Sequence, residues 1–165
     1  MATPAGSNKI FDKEQYSTVV IASEKILDGK EEGNAILSIL SDKHNSDLKT
    51  KLMEMLRQDK ELLLLKDAIN QEEDAVKKGV LVSACWEAGV ECSAHLEYFT
   101  NLAQEKDYFV ALESLTVIDQ CVDPNKIAEG VLERSIEKIE RAIGSLTGNV
   151  DLLKDLLVCL LQYKT

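Results

Sequence analysis

Residues 75–90 read AVKKGVLVSACWEAGV, and this stretch decides the fold. Its apolar residues reach nearly every face at helical spacing, with Val76, Val80 and Ala84 on one side and Trp86 on another. A helix that is apolar all round is covered by protein on several sides. The stretch therefore predicts the central helix of a helical domain, with Trp86 as a core residue because large aromatic side chains dominate core burial.

The remainder of the chain is also predicted to be helical, because Leu, Ala, Glu and Lys dominate and strand-type alternation is scarce. Residues 1–8 are polar and are predicted to be disordered. Residues 9–165 are expected to form a single all-α domain of eight or nine helices with short connections. We place the helices at residues 12–27, 35–40, 47–57, 62–69, 75–90, 91–103, 108–122, 124–146 and 150–164.

Two local signals set helix starts in this scheme. Asn34 is expected to cap the helix at 35–40, after a charged loop at 29–33. Asp123 and Pro124 suit the N-cap and first position of the helix at 124–146. Its apolar stripe comprises Ala128, Leu132, Ile136, Ile139, Ile143 and Leu146. In the last helix, the residues expected to face inward are Val150, Leu153, Leu156, Leu157, Leu160 and Leu161. Because the turn between the last two helices is short, residues 124–164 are predicted to form an antiparallel hairpin.

Residues 62–121 contain a weak internal repeat with an offset of 33 residues. The aligned pairs are Leu63 with Leu96, Leu65 with Tyr98, Ile69 with Leu102, Asp74 with Asp107, Val82 with Leu115, Cys85 with Ile118 and Ala88 with Cys121. Each copy is a short helix, a polar turn that ends in Asp, and a longer helix. A helix pair alone cannot cover its apolar face, so such units stack.

The two copies resemble HEAT-like helical repeats, in which an Asp commonly lies at the turn between the helices; Asp74 and Asp107 match it. Neither copy has the Pro that the first helix of the family tends to carry. Only the first copy has a basic residue within its second helix, at Lys77 or Lys78. The resemblance implies an irregular stack of antiparallel helix pairs, an α-solenoid, that binds another macromolecule.

The charge distribution narrows the class of partner. The chain carries 19 basic and 29 acidic residues, with a net charge of −10, so a nucleic-acid partner is not expected. Residues 83–125 hold eight acids and only Lys106 as a base, and an acidic membrane surface would repel them. We expect a basic protein or peptide to bind the acidic residues of this region: Glu87, Glu91, Glu97, Glu105, Glu113 and Asp119.

Cysteine and metal chemistry are not expected. The chain has four cysteines, of which Cys159 is the last. They are predicted to be reduced and mostly buried, because the polar start of the chain lacks a secretion signal. The same start, together with the lack of a long apolar run, predicts a cytoplasmic protein. The one metal-like cluster comprises Cys85, Glu91, Cys92 and His95, but it has neither Cys-x-x-Cys nor His-Glu-x-x-His spacing. Acidic neighbours also disfavour a thiolate nucleophile. We therefore expect no metal, no cofactor and no catalytic residues.

The function predicted from the sequence is a non-enzymatic protein–protein interaction module that uses an acidic helical face. Two alternatives stay open. One is a small-ligand-binding protein or enzyme with its site in a helical cleft. The other is a structural homodimer joined through an exposed stripe on the last hairpin.

Overall fold

A computed structural model describes residues 29–44, 46–59 and 61–165. In these three ranges the chain forms eight α-helices and two 3₁₀ turns, and no strand. The helices are α1 (Gly29–Ser41), α2 (Ser46–Gln58), α3 (Leu65–Gln71), α4 (Ala75–Ala88), α5 (Leu96–Leu102), α6 (Tyr108–Cys121), α7 (Val131–Gly144) and α8 (Val150–Gln162). The all-α class is confirmed. The predicted helix at 12–27 and the predicted disorder at 1–8 lie outside the described residues.

The chain divides into two compact units, with the boundary between Glu72 and Glu73. The boundary falls inside the repeat predicted at 62–121, between the first short helix, α3, and the first long helix, α4. The single domain predicted for residues 9–165 stays a prediction, since two compact units can belong to one domain.

In the first unit, α1 packs against both α2 and α3. The predicted loop at 29–33 and the predicted helix N-cap at Asn34 are both wrong, because α1 already begins at Gly29. Ile36 and Ile39 are fully buried in this unit. A glycine inside a helix costs roughly 1 kcal/mol, and α1 contains Gly29 and Gly33. The burial of the two isoleucines stabilises the helix by more than this cost.

The third helix begins later than the sequence predicts, at Leu65 instead of Leu62. The Asp59 carboxylate accepts hydrogen bonds from the backbone N–H groups of Leu63, at 2.9 Å, and Leu64, at 2.7 Å. Leu62 has a φ of 53°, which is incompatible with a right-handed helix. This side-chain-to-backbone turn holds residues 62–64 outside the helix.

In the second unit the helices meet in a regular order. The long helices α4, α6 and α8 contact one another in sequence, α5 contacts α7, and the pairs α5–α6 and α7–α8 are also in contact. Both predicted turn aspartates are N-caps: Asp74 accepts from Lys77 N at 2.9 Å and Asp107 from Val110 N at 3.0 Å. Helices α7 and α8 are in contact, as a hairpin requires, and the hairpin predicted at 124–164 stays a prediction.

Three predictions for the second unit need correction at the helix ends. The helix expected at 91–103 is a 3₁₀ turn, Ser93–His95, followed by α5. Pro124 begins a 3₁₀ turn, and α7 starts only at Val131, because Gly130 has a φ of 77° and reverses the chain. The apolar stripe is consequently shorter than predicted, and two of its residues, Ala128 and Leu146, are exposed. Leu161 of the last helix, also expected to face inward, is exposed as well.

The prediction that Trp86 is a core residue is wrong, and Val76 is not covered either. The exposed fraction of Trp86 is 37% and that of Val76 is 67%. A buried indole N–H needs a hydrogen-bond acceptor, and Trp86 finds one at the surface instead of in the core. The core of this unit is built from smaller residues and from Phe99, which is fully buried.

Candidate partner-binding surface

Helices α4 and α6 run in the same direction, which brings their C-terminal ends together. Near their starts, the Phe109 ring lies directly on Gly79, where an added Cβ would be 2.3 Å from a ring carbon. Near their ends, Cys121 Sγ lies 3.8 Å from the carbonyl oxygen of Cys85. The two helices are therefore parallel, because the start of one contacts the start of the other and the end of one contacts the end of the other.

An open pocket of about 250 Å³ lies where the two helices end. Its walls come from the chain just after α4 and from the last residues of α6 with the segment that follows. The lining residues are Gly89, Val90, Glu91, Gln120, Cys121, Val122 and Asp123. Because the last carbonyl groups of a helix carry partial negative charge, two parallel helix ends favour a cationic group at such a position.

Two carboxylates add full negative charge to this pocket. Glu91 accepts hydrogen bonds from the backbone N–H of Ser93, at 3.0 Å, and from its hydroxyl. Asp123 accepts from Asn125 N at 3.0 Å and lies 3.9 Å from the Lys126 ammonium in a largely exposed ion pair. These bonds fix both carboxylates in position while leaving each residue partly accessible to solvent.

Trp86 forms one edge of the same surface. Its indole N–H donates a 2.7 Å hydrogen bond to Glu113 on α6, which ties the two helices together. Glu87, the next residue on α4, is exposed, and Asp119 is exposed in the last turn of α6. We call the set Trp86, Glu87, Glu91, Glu113 and Asp123 the acidic helix-end surface.

The six predicted partner-binding residues do not all lie together. Three of them belong to the acidic helix-end surface: Glu87, Glu91 and Glu113. Asp119 lies beside α8, where its Oδ1 is 4.0 Å from Cys159 Sγ. The other two pair with lysines, Glu97 with Lys138 at 2.7 Å and Glu105 with Lys78 at 2.6 Å. A role for these two in binding a partner stays a prediction.

The Glu97 pair joins α5 to α7. Lys138 Nζ donates to Glu97 Oε1 and, at 3.3 Å, to Asn101 Oδ1. The hydrogen bond and the positive charge of Lys138 lower the pKa of Glu97 below its usual value, and Arg134 adds a smaller effect in the same direction. Glu97 therefore stays ionised and holds the two helices together.

Sequence reasoning missed two pocket residues, Asp123 and Gln120. The sequence predicts only a capping role for Asp123. Asp123 does cap the 3₁₀ turn at Pro124, and it also lines the pocket. The signal that could have found both is the repeat itself, because equivalent helices in stacked repeats end side by side.

The cysteine predictions are confirmed in part. All four cysteines are reduced; Cys85, Cys92 and Cys121 are buried and Cys159 is half-buried. In the part of the chain that the structure describes, no group of three or more His, Cys, Asp or Glu side chains is arranged to hold a metal ion.

Over the described ranges, every helix is too short or too polar to span a bilayer. No family model, no curated protein and no solved structure is significantly similar to this chain.

Proposed function

We propose that the chain is a non-enzymatic protein–protein interaction module, and that a basic segment of its partner binds the acidic helix-end surface. The observation that carries this proposal is the pocket at the parallel ends of α4 and α6. It combines two helix C-termini with the carboxylates of Glu91 and Asp123, and the half-exposed Trp86 lies in the last turn of α4, the helix that ends at this pocket. A lysine or arginine side chain suits this combination, because it brings a cation for the carboxylates and an apolar stem for the ring.

A HEAT-like arrangement of the second unit is part of the proposal. It is supported by the order of contacts, in which long helices meet long helices and α5 meets α7. A second regularity points the same way: the Lys78–Glu105 and Trp86–Glu113 contacts both join residues 27 positions apart. In stacked repeats, equivalent helices present a continuous row of side chains to a partner.

The first experiment selects ligands from a displayed library of random peptides with the purified full chain. We expect the enriched peptides to contain lysine or arginine beside apolar residues. Affinity is then measured from the fluorescence of Trp86, the single tryptophan of the chain. Because charged contacts are screened by salt, raising the salt from 50 to 500 mM should weaken binding at least about tenfold.

Matched variants locate the site. Glu91→Gln and Asp123→Asn keep side chains that can still accept the local hydrogen bonds but remove the charge. Each is expected to weaken binding by roughly 5- to 50-fold, as for charged contacts at the edge of an interface. Glu140→Gln, on the exposed side of α7, is the control and should leave affinity unchanged.

Two results would overturn the proposal. One is enrichment of acidic or purely apolar peptides. The other is an equal loss of affinity in Glu140→Gln and Glu91→Gln, which would mean that only the overall negative charge matters. Charge reversal at Glu97 or Glu105 is a poorer test, because it would also break the ion pairs with Lys138 and Lys78.

A second candidate, the structural homodimer, is favoured by the surface of the last hairpin. Leu146, Val158 and Leu161 have exposed fractions of 78%, 57% and 44%. Sedimentation equilibrium distinguishes the two candidates. A dimer that Val158→Glu converts to a monomer would favour the homodimer, whereas a wild-type monomer at all concentrations would exclude it.

A further inference from the structure

Three of the four cysteines lie at the ends of α4 and α6. Cys85 is in the last turn of α4, Cys92 follows in the next segment, and Cys121 is the last residue of α6. Cys85 and Cys92 are completely buried, and Cys121 is 9% exposed and lines the pocket described above. A small reagent in the pocket can therefore reach Cys121, while the other two thiols lie behind it.

The backbone places Cys92 and Cys121 side by side. The N–H of Cys92 donates a 2.8 Å hydrogen bond to the carbonyl oxygen of Cys121. Residues joined by such a bond lie close together, and a disulfide bridges Cα separations of about 4.4–6.8 Å. The interaction between the two thiols also shifts the pKa of each.

From this geometry we propose that Cys92 and Cys121 are a redox-sensitive thiol pair, which hydrogen peroxide entering the pocket closes to an intramolecular disulfide. The disulfide would join the two walls of the pocket, the segment after α4 and the end of α6. This inference does not depend on the proposed function, since it needs no partner.

The environment of the two thiols assigns their roles. The hydrogen bond from Cys92 lowers the pKa of Cys121, although burial and the nearby Glu91 carboxylate act against this effect. The same hydrogen bond, followed by burial, raises the pKa of Cys92. Cys121, whose pKa is lowered, is thus the thiol that reacts first with peroxide, and Cys92 is the thiol that attacks second.

The chemistry balances with one molecule of hydrogen peroxide. The Cys121 sulfur attacks one peroxide oxygen, the O–O bond breaks, and hydroxide leaves and takes up the Cys121 proton to form water. The Cys92 sulfur then attacks the sulfur of the Cys121 sulfenic acid, the S–O bond breaks, and a second water forms with the Cys92 proton. Two thiols are oxidised by two electrons in total, and the peroxide is reduced to two water molecules.

The test treats the full wild-type chain with hydrogen peroxide in graded amounts and measures its intact mass without reductant. We expect a loss of two mass units that dithiothreitol reverses. Peptide mapping then identifies the bridge. Trypsin leaves Cys85 and Cys92 in one peptide, 79–106, so cleavage after Glu87 and Glu91 is needed to separate them.

Variants give the order of reaction. Cys92→Ser should trap the sulfenic acid at Cys121, which dimedone labels, and should prevent the bridge. Cys159→Ser is the control and should oxidise like the wild type. Cys159 is more exposed than Cys121, but burial raises its pKa and Asp119 adds to that effect.

Three results would overturn the proposal: four unchanged thiols, a bridge between Cys85 and Cys121, or faster oxidation of Cys159 than of Cys121. If Cys92→Ser fails to fold, the wild-type peptide map still decides between these outcomes and the expected bridge.

Discussion

Gly148 lies in the turn between α7 and α8, where the chain passes close to another part of the second unit. It has a φ of 74°, and an added Cβ would lie 2.8 Å from the backbone oxygen of Gln104. The neighbouring Asn149 fixes this approach by donating two 3.2 Å hydrogen bonds to the carbonyls of Glu105 and Lys106. The backbone therefore cannot easily move away from a new side chain.

Replacing Gly148 with alanine should destabilise the protein for two separate reasons. A left-handed conformation costs a residue with a Cβ about 1–2 kcal/mol. Relieving a contact that is too short typically costs about 1–3 kcal/mol. We expect a total loss of about 2–5 kcal/mol in the free energy of unfolding, from urea denaturation, and a fall in Tm of roughly 6–15 °C.

The control lies in the same hairpin. Gly144 ends α7, its added Cβ would meet nothing within 4 Å, and Gly144→Ala should stabilise the protein by about 0.5 kcal/mol because alanine favours helix. Gly148→Asn separates the two costs, because asparagine tolerates the left-handed region but still carries a Cβ. A Gly148→Ala variant within about 0.5 kcal/mol of wild type would refute the reasoning, since surface substitutions of no structural consequence fall in that range.

The two N-caps and one ion pair give the remaining predictions. Asp74→Ala and Asp107→Ala should each cost about 1 kcal/mol in urea denaturation, because each removes the acceptor for one N–H at a helix start; unchanged midpoints would contradict this. Lys138 lowers the pKa of Glu97, so their ion pair stabilises the fold fully at a pH above the usual pKa of glutamate. This stabilisation is lost as the pH falls through the lowered pKa, because Glu97 then becomes protonated. Lys138→Met should raise the Glu97 pKa measured by NMR titration, and an unshifted titration would show that the pair is absent in solution.

The candidate surface could be predicted from the sequence only in part. The concentration of acids at 83–125 indicated Glu87, Glu91 and Glu113, because charge is visible in any sequence. It could not separate them from Glu97, whose lysine partner lies 41 residues away. A contact between residues so far apart in the sequence depends on how the helices pack, and helical periodicity does not predict that packing.

The exposed position of Trp86 illustrates the same limit. Its neighbours along the chain are apolar, so periodicity alone favoured burial. The packing of α6 on α4 places the ring between the two helices, beside Glu113 and at the edge of the unit. A pattern gives the direction of a side chain around its own helix but does not tell which directions a neighbouring helix covers.

The sequence by itself determined the all-helical class, the reduced cysteines and the capping aspartates Asp74 and Asp107. These features depend on composition, helical period and contacts a few residues apart, and such interactions are local. The tertiary structure alone decided that α4 and α6 end side by side, that Cys92 meets Cys121, and that the pocket carries Asp123. Those features depend on which helices pack together, and packing follows from the fit of many side chains that are distant in sequence.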